Sequence, residues 1–341
     1  MTVVNGRFLR SRQSGMHRVG RELLDAARRQ GLACEVLAPA GVDDPRVDRV
    51  VRGPGTKAGD LVWEQTSLPR AARGRVVLSL ANTAPLLARR NAVLVHDLAP
   101  VVGPQWFGPS MRGYARLVLA TARRAPLVLT VSQAVANELV DAGVRPERLV
   151  VVHNAVGPRF RPADPADVEA VRARHGLHRA YLLVVGWADP RKDIGTAVRA
   201  HLDAVGRVPH DLVVVGQQHG TFAPTDLPGG PSIRHLGYVD DTDLVPLLTG
   251  ASALVYPSLY EGFGLPPLEA IACGTPALVS DLPVLRETGQ GRSVHLAAGD
   301  VPAWSAAMAA AAAGELAVPE PVAWTWDDAG AVLVEALGRL G

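Results

Sequence analysis

Four charged residues are placed where they could do chemistry together. Glu261 and Glu269 lie eight positions apart in the stretch Val255 to Thr275, which reads as a buried strand (Ala253 to Tyr256), a loop holding Gly262 and Gly264, and a short helix. Pro266 or Pro267 would open that helix, since proline suits the first turn where its missing N–H is not needed, and Gly274 would close it. The loop glycines let backbone approach a ligand, and the amides of a helix start attract an anion. Carboxylates accept hydrogen bonds from hydroxyls. The stretch therefore suits a ligand carrying both phosphate and sugar, although Glu269, placed in the first helical turn, could instead complement the helix dipole. Arg191 and Lys192 form the second signal. They follow the strand Tyr181 to Val185 and the turn Gly186-Trp187-Ala188-Asp189-Pro190, and they precede a helix through Ile194, Ala197 and Val198. A planar guanidinium fork beside a mobile ammonium makes an anion site, which the strand-end position favours over a merely exposed charge pair.

The elements that must hold these residues repeat along the chain. Near-continuous apolar runs at Ala33–Leu37, Val76–Leu80, Ala92–Val95, Leu127–Val131, Leu149–Val152, Asp211–Val215 and Pro276–Ser280 suit parallel strands covered on both faces. Helical or loop segments separate them, which predicts doubly wound α/β architecture with ligands at the C-terminal strand ends. Polar residues appear at those ends. His96-Asp97 follows Val93–Val95, Ser132 follows Leu129–Val131, and His153-Asn154 follows Val150–Val152. A first strand through Val3-Val4 leads to Asn5-Gly6-Arg7, a loop from Arg10 to Gly15, and a helix of spacing Val19, Leu23, Leu24, Ala27. Ser132 reads as a helix N-cap, and a hydrolase triad of Ser132 with His96 lacks a nucleophile elbow. Asp241-Thr242-Asp243 has the form of a metal-binding Asp-x-Asp, but it opens the helix Leu244–Leu248, so capping explains it and no catalytic metal is expected. Ala303–Ala313 and Ala329–Leu340 read as helices.

Composition narrows the class. At 341 residues, 48% hydrophobic, the chain can build two cores. No run approaches a membrane span of about 18 apolar residues, and the first ten residues read as a strand start rather than a signal peptide. Cys34 and Cys273 form neither a disulfide framework nor a metal motif, so a cytoplasmic setting is expected. Residues 1–160 hold 23 Lys+Arg against 12 Asp+Glu, a net +11, whereas the remainder holds 12 against 21, a net −9. This basic half is either solvated arginine-rich surface or a face for an anionic acceptor or the inner side of a membrane. Aromatics do not interleave with the arginines, so nucleic acid is not an expected partner.

Taken whole, Val255 to Thr275 resembles the Glu-x7-Glu signature of retaining glycosyltransferases of family four, among them bacterial cell-surface mannosyltransferases. The resemblance implies the GT-B fold, two Rossmann-like doubly wound domains facing a central cleft. An acceptor domain over 1–160, rejoined by a closing helix at 325–341, a linker and lead-in helix at 161–178, and a donor domain over 179–324 follow from it. It implies that Glu261 contacts the donor sugar, that Glu269 holds the nucleotide ribose, and that amides of Gly262, Phe263, Gly264 and Leu265 reach sugar and phosphates. Arg191 and Lys192 would neutralise the donor diphosphate after the turn at Gly186, with Asp193 standing where asparagine is common. Val95 to Pro100 resembles the family's His-Asp turn, with His96 at the reaction centre and Asp97 beside it. Gly15 would lie under the diphosphate, with Arg18 as a further anion contact. Tyr238 and Val239 would frame the base, and Asn154 matches an Asn-Gly-Val turn whose glycine is here Ala155. The donor would be a nucleotide-diphosphate sugar, leaning to GDP-mannose with UDP-sugars as the alternative, and no cofactor is implied. The acceptor would be a hydroxyl on a glycan, lipid-linked glycan or small molecule. Two rivals stand beside this reading: a GT-B epimerase or phosphorylase, the latter needing a pyridoxal lysine from only Lys57 and Lys192, and a nucleotide-sugar-binding protein without turnover.

Overall fold

The computed structural model describes residues 1–10, 15–53, 56–186, 189–216 and 229–340. The chain divides into two compact units, residues 1–102, 109–155 and 324–341 in the first, and residues 103–108 and 156–323 in the second.

The first unit holds seven strands: β1 (Thr2–Asn5), β2 (Cys34–Pro39), β3 (Arg49–Val51), β4 (Val77–Ser79), β5 (Asn91–Val95), β6 (Leu127–Thr130) and β7 (Leu149–Val151). They pair in parallel throughout, in the order β3-β2-β1-β4-β5-β6-β7. Helices α1 (Gly15–Arg29), α2 (Lys57–Ala72), α3 (Ala99–Val102), α4 (Pro109–Arg124) and α5 (Gln133–Asp141) alternate with the strands. Ser132 caps α5 by accepting from the Val135 amide at 3.2 Å, as its position in the sequence predicts.

The second unit carries α6 (Pro165–Arg174), α7 (Ile194–Asp203), α8 (Asp241–Thr249), α9 (Leu265–Ala272), α10 (Pro283–Gly289) and α11 (Val301–Ala312). Its six strands are β8 (Tyr181–Val185), β9 (Asp211–Val215), β10 (Ile233–Gly237), β11 (Leu254–Tyr256), β12 (Ala277–Ser280) and β13 (Val294–Leu296). They too are all parallel, ordered β10-β9-β8-β11-β12-β13. Leu182, Val184, Val198 and Leu212 pack with Trp304 and Met308 of α11 in one of its core clusters. The Trp304 indole donates to the Ala297 carbonyl at 3.0 Å, which lets so large a side chain be wholly buried.

The last helix, α12 (Trp326–Gly338), belongs to the first unit and lies against α1. A side chain at Gly330 would stand 2.7 Å from the Ala26 backbone carbon, so only glycine permits this approach. Thr325 and Asp328 form a reciprocal capping box at its start.

Four features depart from the sequence reading. Strands β3 and β13 were not separable from their surroundings, because each is three residues long, at a sheet edge, and partly solvated. Residues 103–108, inside the span expected for the N-terminal domain, cluster with the second unit. The linker and lead-in helix pack there as well, with α6 against α8. Asp241 and Asp243 do not cap α8. The N-cap is Asp240, which makes no side-chain cap bond, while Asp241 pairs with Arg159, and Asp243 takes Arg174 and, at 2.9 Å, His175 Nε2. Ion pairs between neighbouring segments, not capping, account for this motif.

Six of the arginines of residues 1–160 pair with local carboxylates, Arg10 with Asp60, Arg21 with Asp44, Arg28 with Asp48, Arg46 with Asp25 and Asp44, and Arg49 and Arg75 with Glu35, and the net positive charge of this half remains.

Candidate functional site

In the second sheet the strand order reverses between β8 and β11, and the two charged loops leave those two strands. A sheet reversal opens a crevice at the C-terminal strand ends, so this topology brings together signals 69 residues apart in sequence. Lys192 Nζ donates to Glu261 Oε1 at 2.6 Å and to the Tyr256 hydroxyl at 2.5 Å. The Leu259 amide donates to the Arg191 carbonyl at 2.6 Å, tying the loops through backbone as well. Gly186 sits at φ +118°, a conformation that side-chain-bearing residues rarely adopt, so glycine makes the turn, while a Cβ there would only touch the Lys192 stem at 3.4 Å. Burial, and then the adjacent Glu261 charge, pushes the Tyr256 phenol well above its ordinary value, so it stays protonated and can bridge ammonium and carboxylate.

Arg191 is held differently. Asp189 grips its Nε and Nη2 edge at 2.5 to 3.0 Å and accepts from its backbone amide at 3.0 Å. The Phe107 ring centroid lies 5.6 Å from the guanidinium carbon. Asp193 adopts the left-handed conformation (φ +40°) and accepts from the Thr196 hydroxyl, a backbone state that asparagine and aspartate both tolerate.

Gly264 caps α9 from the left-handed region (φ +84°), where a side chain would collide with Leu285 at 2.3 Å. Phe263 is buried, and its carbonyl accepts from the Thr288 hydroxyl at 3.0 Å; Gly262 lies in the loop and Leu265 opens the helix. Glu269 requires a correction. It is the fifth residue of α9, beyond the first turn, and 4% exposed. The helix dipole falls off within the first turn, so dipole complementation does not account for a buried carboxylate here. Val239 is buried and Tyr238 is 62% exposed, just past Gly237, whose carbonyl accepts from the Gly216 amide at 2.8 Å. Trp187 and Ala188 lie outside the described residues, as does Ser14.

The other expected residues belong to the first unit. His96 follows β5 and is nearly buried; its Nε2 donates to the Leu80 carbonyl at 2.9 Å and its amide to Asn82 Oδ1 at 2.7 Å. A carbonyl only accepts, so the ring hydrogen sits on Nε2 and Nδ1 is the acceptor. Burial lowers the His96 pKa against the opposing pull of the Leu80 carbonyl and Asp97, which keeps the ring neutral. Asp97 Oδ1 accepts from the Ala99 amide at 3.0 Å and so shapes the start of α3. Gly15 opens α1, and a Cβ added there would meet nothing within 4 Å, so packing alone does not demand glycine. Arg18 lies on α1, and Asn154 is buried just past β7, where the chain leaves the first unit.

Tyr256, Asp189 and Phe107 were missed by the sequence reading. Tyr256 is the last residue of β11 and reads as core, and Asp189 reads as turn. Phe107 was beyond reach, since nothing in Gly103 to Gly108 marks it as part of the second unit.

Family models match both halves, that for Glycosyltransferase Family 4 over residues 13–160 and that for Glycosyl transferases group 1 over residues 179–313, together most of the chain. The chain belongs to the family 4, group 1 glycosyltransferases. The chain is 30% identical over 241 residues to the O-antigen chain mannosyltransferase RfbU of Salmonella typhimurium, covering 69% of this chain and 64% of that one. It is 31% identical to O-antigen chain mannosyltransferase B of Escherichia coli over 60% of this chain and 56% of that one. The chain thus spans under two thirds of either relative. Among solved structures, Anabaena Alr3699/HepE in complex with UDP-glucose matches with a TM-score of 0.69 at 16% identity, over 100% of this chain and 94% of that one. WaaG, a glycosyltransferase involved in lipopolysaccharide biosynthesis, matches with 0.67 at 14%, over 98% and 95%. These likenesses establish the GT-B fold. No helix among the described residues is long and apolar enough to cross a membrane.

Proposed function

We propose that this protein transfers a sugar, with retention, from a nucleotide-diphosphate sugar to an acceptor hydroxyl. The observation that carries the reading is the convergence of Lys192, Glu261 and Tyr256 where β8 and β11 part, with Arg191 on the same turn and buried Glu269 on the following helix. The diphosphate would lie against Arg191 and Lys192. Negative charge grows on the leaving phosphate as the glycosidic bond breaks, so these cations act most strongly in the transition state. Once Lys192 turns to phosphate, Glu261 can accept hydroxyl hydrogen bonds from the sugar, and Glu269 those from ribose. Neutral His96 would accept a hydroxyl hydrogen bond through Nδ1. The acceptor hydroxyl would attack from the side the nucleotide leaves, passing its proton to the leaving phosphate, so no carboxylate nucleophile is needed. Arg191 and Lys192 provide the charge that a metal supplies elsewhere, so turnover should survive chelator.

Mannose from GDP-mannose is favoured as the donor, because relatives at 30 and 31% identity carry mannosyltransferase names. The exposed Arg112, Arg116, Arg123 and Arg124 of α4, a helix without an acidic residue, are the surface best suited to an anionic membrane carrying a lipid-linked acceptor. Calorimetric titration with UDP, GDP, ADP and dTDP, repeated on Glu269→Ala, tests the donor class. Binding of one nucleotide, lost in the variant, is expected; no binding to any would overturn the reading. Product anomeric configuration by NMR tests retention; turnover of donor without transfer would favour the epimerase alternative, and donor binding with no turnover the binding-protein alternative.

A further inference from the structure

Residues 103–108, Gly-Pro-Gln-Trp-Phe-Gly, belong to the second unit although the residues on both sides belong to the first. They put two adjacent aromatic rings against the two loops just described. Trp106 meets Tyr260, next to Glu261, with ring centroids 6.4 Å apart and planes tilted by 45°. Phe107 covers the Arg191 guanidinium at 5.6 Å. The strap is stiffened locally: Pro104 fixes one dihedral, the Trp106 amide donates to the Gly103 carbonyl at 3.1 Å, and a side chain at Gly103 would overlap the Trp106 ring at 2.1 Å.

We propose that Phe107 is a positioning residue for Arg191, setting the guanidinium plane that receives the donor diphosphate. This rests on the function proposed above. An arginine side chain has many rotamers, and a site must restrict them before the fork can bind two oxygens at once. Asp189 fixes one edge of the fork and Phe107 fixes its face. A ring face attracts a cation through its quadrupole within about 6 Å, and more strongly when water is excluded. Both conditions hold here, since Phe107 is 8% exposed and the Arg191 side chain 20%. The ring also leaves the positive charge intact, which a second carboxylate would cancel. The residue is thus supplied to the donor loops by the segment that begins seven positions after His96.

The test measures Kd for UDP and GDP, with uridine and guanosine as phosphate-free controls, on the full-length protein and its variants. Phe107→Leu should weaken whichever diphosphate binds by about 3- to 10-fold while leaving its nucleoside unchanged, and Phe107→Trp should retain binding. In an Arg191→Ala background Phe107→Leu should add nothing. Incorporating 3,4,5-trifluorophenylalanine at 107, which keeps the shape and weakens the face, should reproduce the loss even if the leucine variant is poorly folded. Equal loss in the Arg191→Ala background, or full affinity with the fluorinated ring, would overturn the proposal. Unchanged diphosphate binding in Arg191→Ala alone would instead overturn the function on which it rests.

Discussion

Each sheet reverses its strand order once, between β1 and β4 in the first and between β8 and β11 in the second, and each reversal gathers charge. At the first, Glu64 is wholly buried and accepts from Asn5 Nδ2 at 2.7 Å and Arg7 Nε at 3.1 Å. Asn5 also donates to Ser79, and Arg7 donates to Thr83 at 2.6 Å and to the Ala81 carbonyl. Desolvation opposes the Arg7 charge, but Glu64 holds its pKa above the ordinary value. At the second, the cation is shielded to a similar degree, Lys192 being 19% exposed against 17% for Arg7, but Glu261 keeps 11% of its side chain exposed where Glu64 keeps none, and the loops carry left-handed glycines that give backbone access. The first cluster is a closed network of internal bonds. The second is a contact between two groups that a ligand could separate. A shared reversal of strand order therefore does not make equivalent sites; what differs is whether the charges can exchange their partners.

The difference can be broken most visibly at Lys192. Lys192→Ala should reduce kcat by about 10²- to 10³-fold, as expected on removing one preorganised stabiliser of transition-state charge, with little change in Tm. A variant of full activity would place Lys192 on the structural side of the comparison. The opposite outcome is expected for Glu64. Glu64→Ala leaves Asn5 and the Arg7 guanidinium without their shared carboxylate and should cost about 3–5 kcal/mol in chemical denaturation, whereas Glu261→Ala, which leaves Lys192 with the Tyr256 hydroxyl, should cost less. Equal losses would erase the distinction.

A third test concerns acid. His201 and His210 of the second unit are buried, and desolvation lowers both below the ordinary 6.5. A histidine depressed in the folded state binds more protons when unfolded. Its contribution is fully present above about pH 6.5 and is lost as pH falls through the folded value. The second unit should thus melt a few degrees lower at pH 5.5 than at pH 7.5, followed by Tyr256 exposure, and His201→Gln should narrow that gap. The smallest effect is expected at Asp241, whose partner Arg159 is solvated: Asp241→Asn should leave kcat/KM within about twofold, with or without chelator.

The fold was readable because parallel strands buried on both faces show as apolar runs, as Tyr181–Val185 and Asp211–Val215 did to the residue. Short edge strands lack that signature. The charged pairs Arg191-Lys192 and Glu261…Glu269 were legible as types and positions, and topology explains why Lys192 and Glu261 meet. Their partners were not legible. Asp189 and Tyr256 acquire meaning only through contact, and Phe107 only through a chain path that no local pattern records. Glu269 falls just past the first turn because Leu265, one residue ahead of Pro266, begins the helix.

The seating of α12 on α1 bears on how the protein is made. Arg29 and Asp327, joined at 2.7 Å, are separated by 298 residues. At about 5–20 residues per second of synthesis, α1 waits roughly 15–60 s for the helix that covers it. Meanwhile the whole second unit emerges. The part of α1 that α12 covers, around Ala26 and Ala27, therefore stands open to a chaperone or a wrong neighbour during that interval.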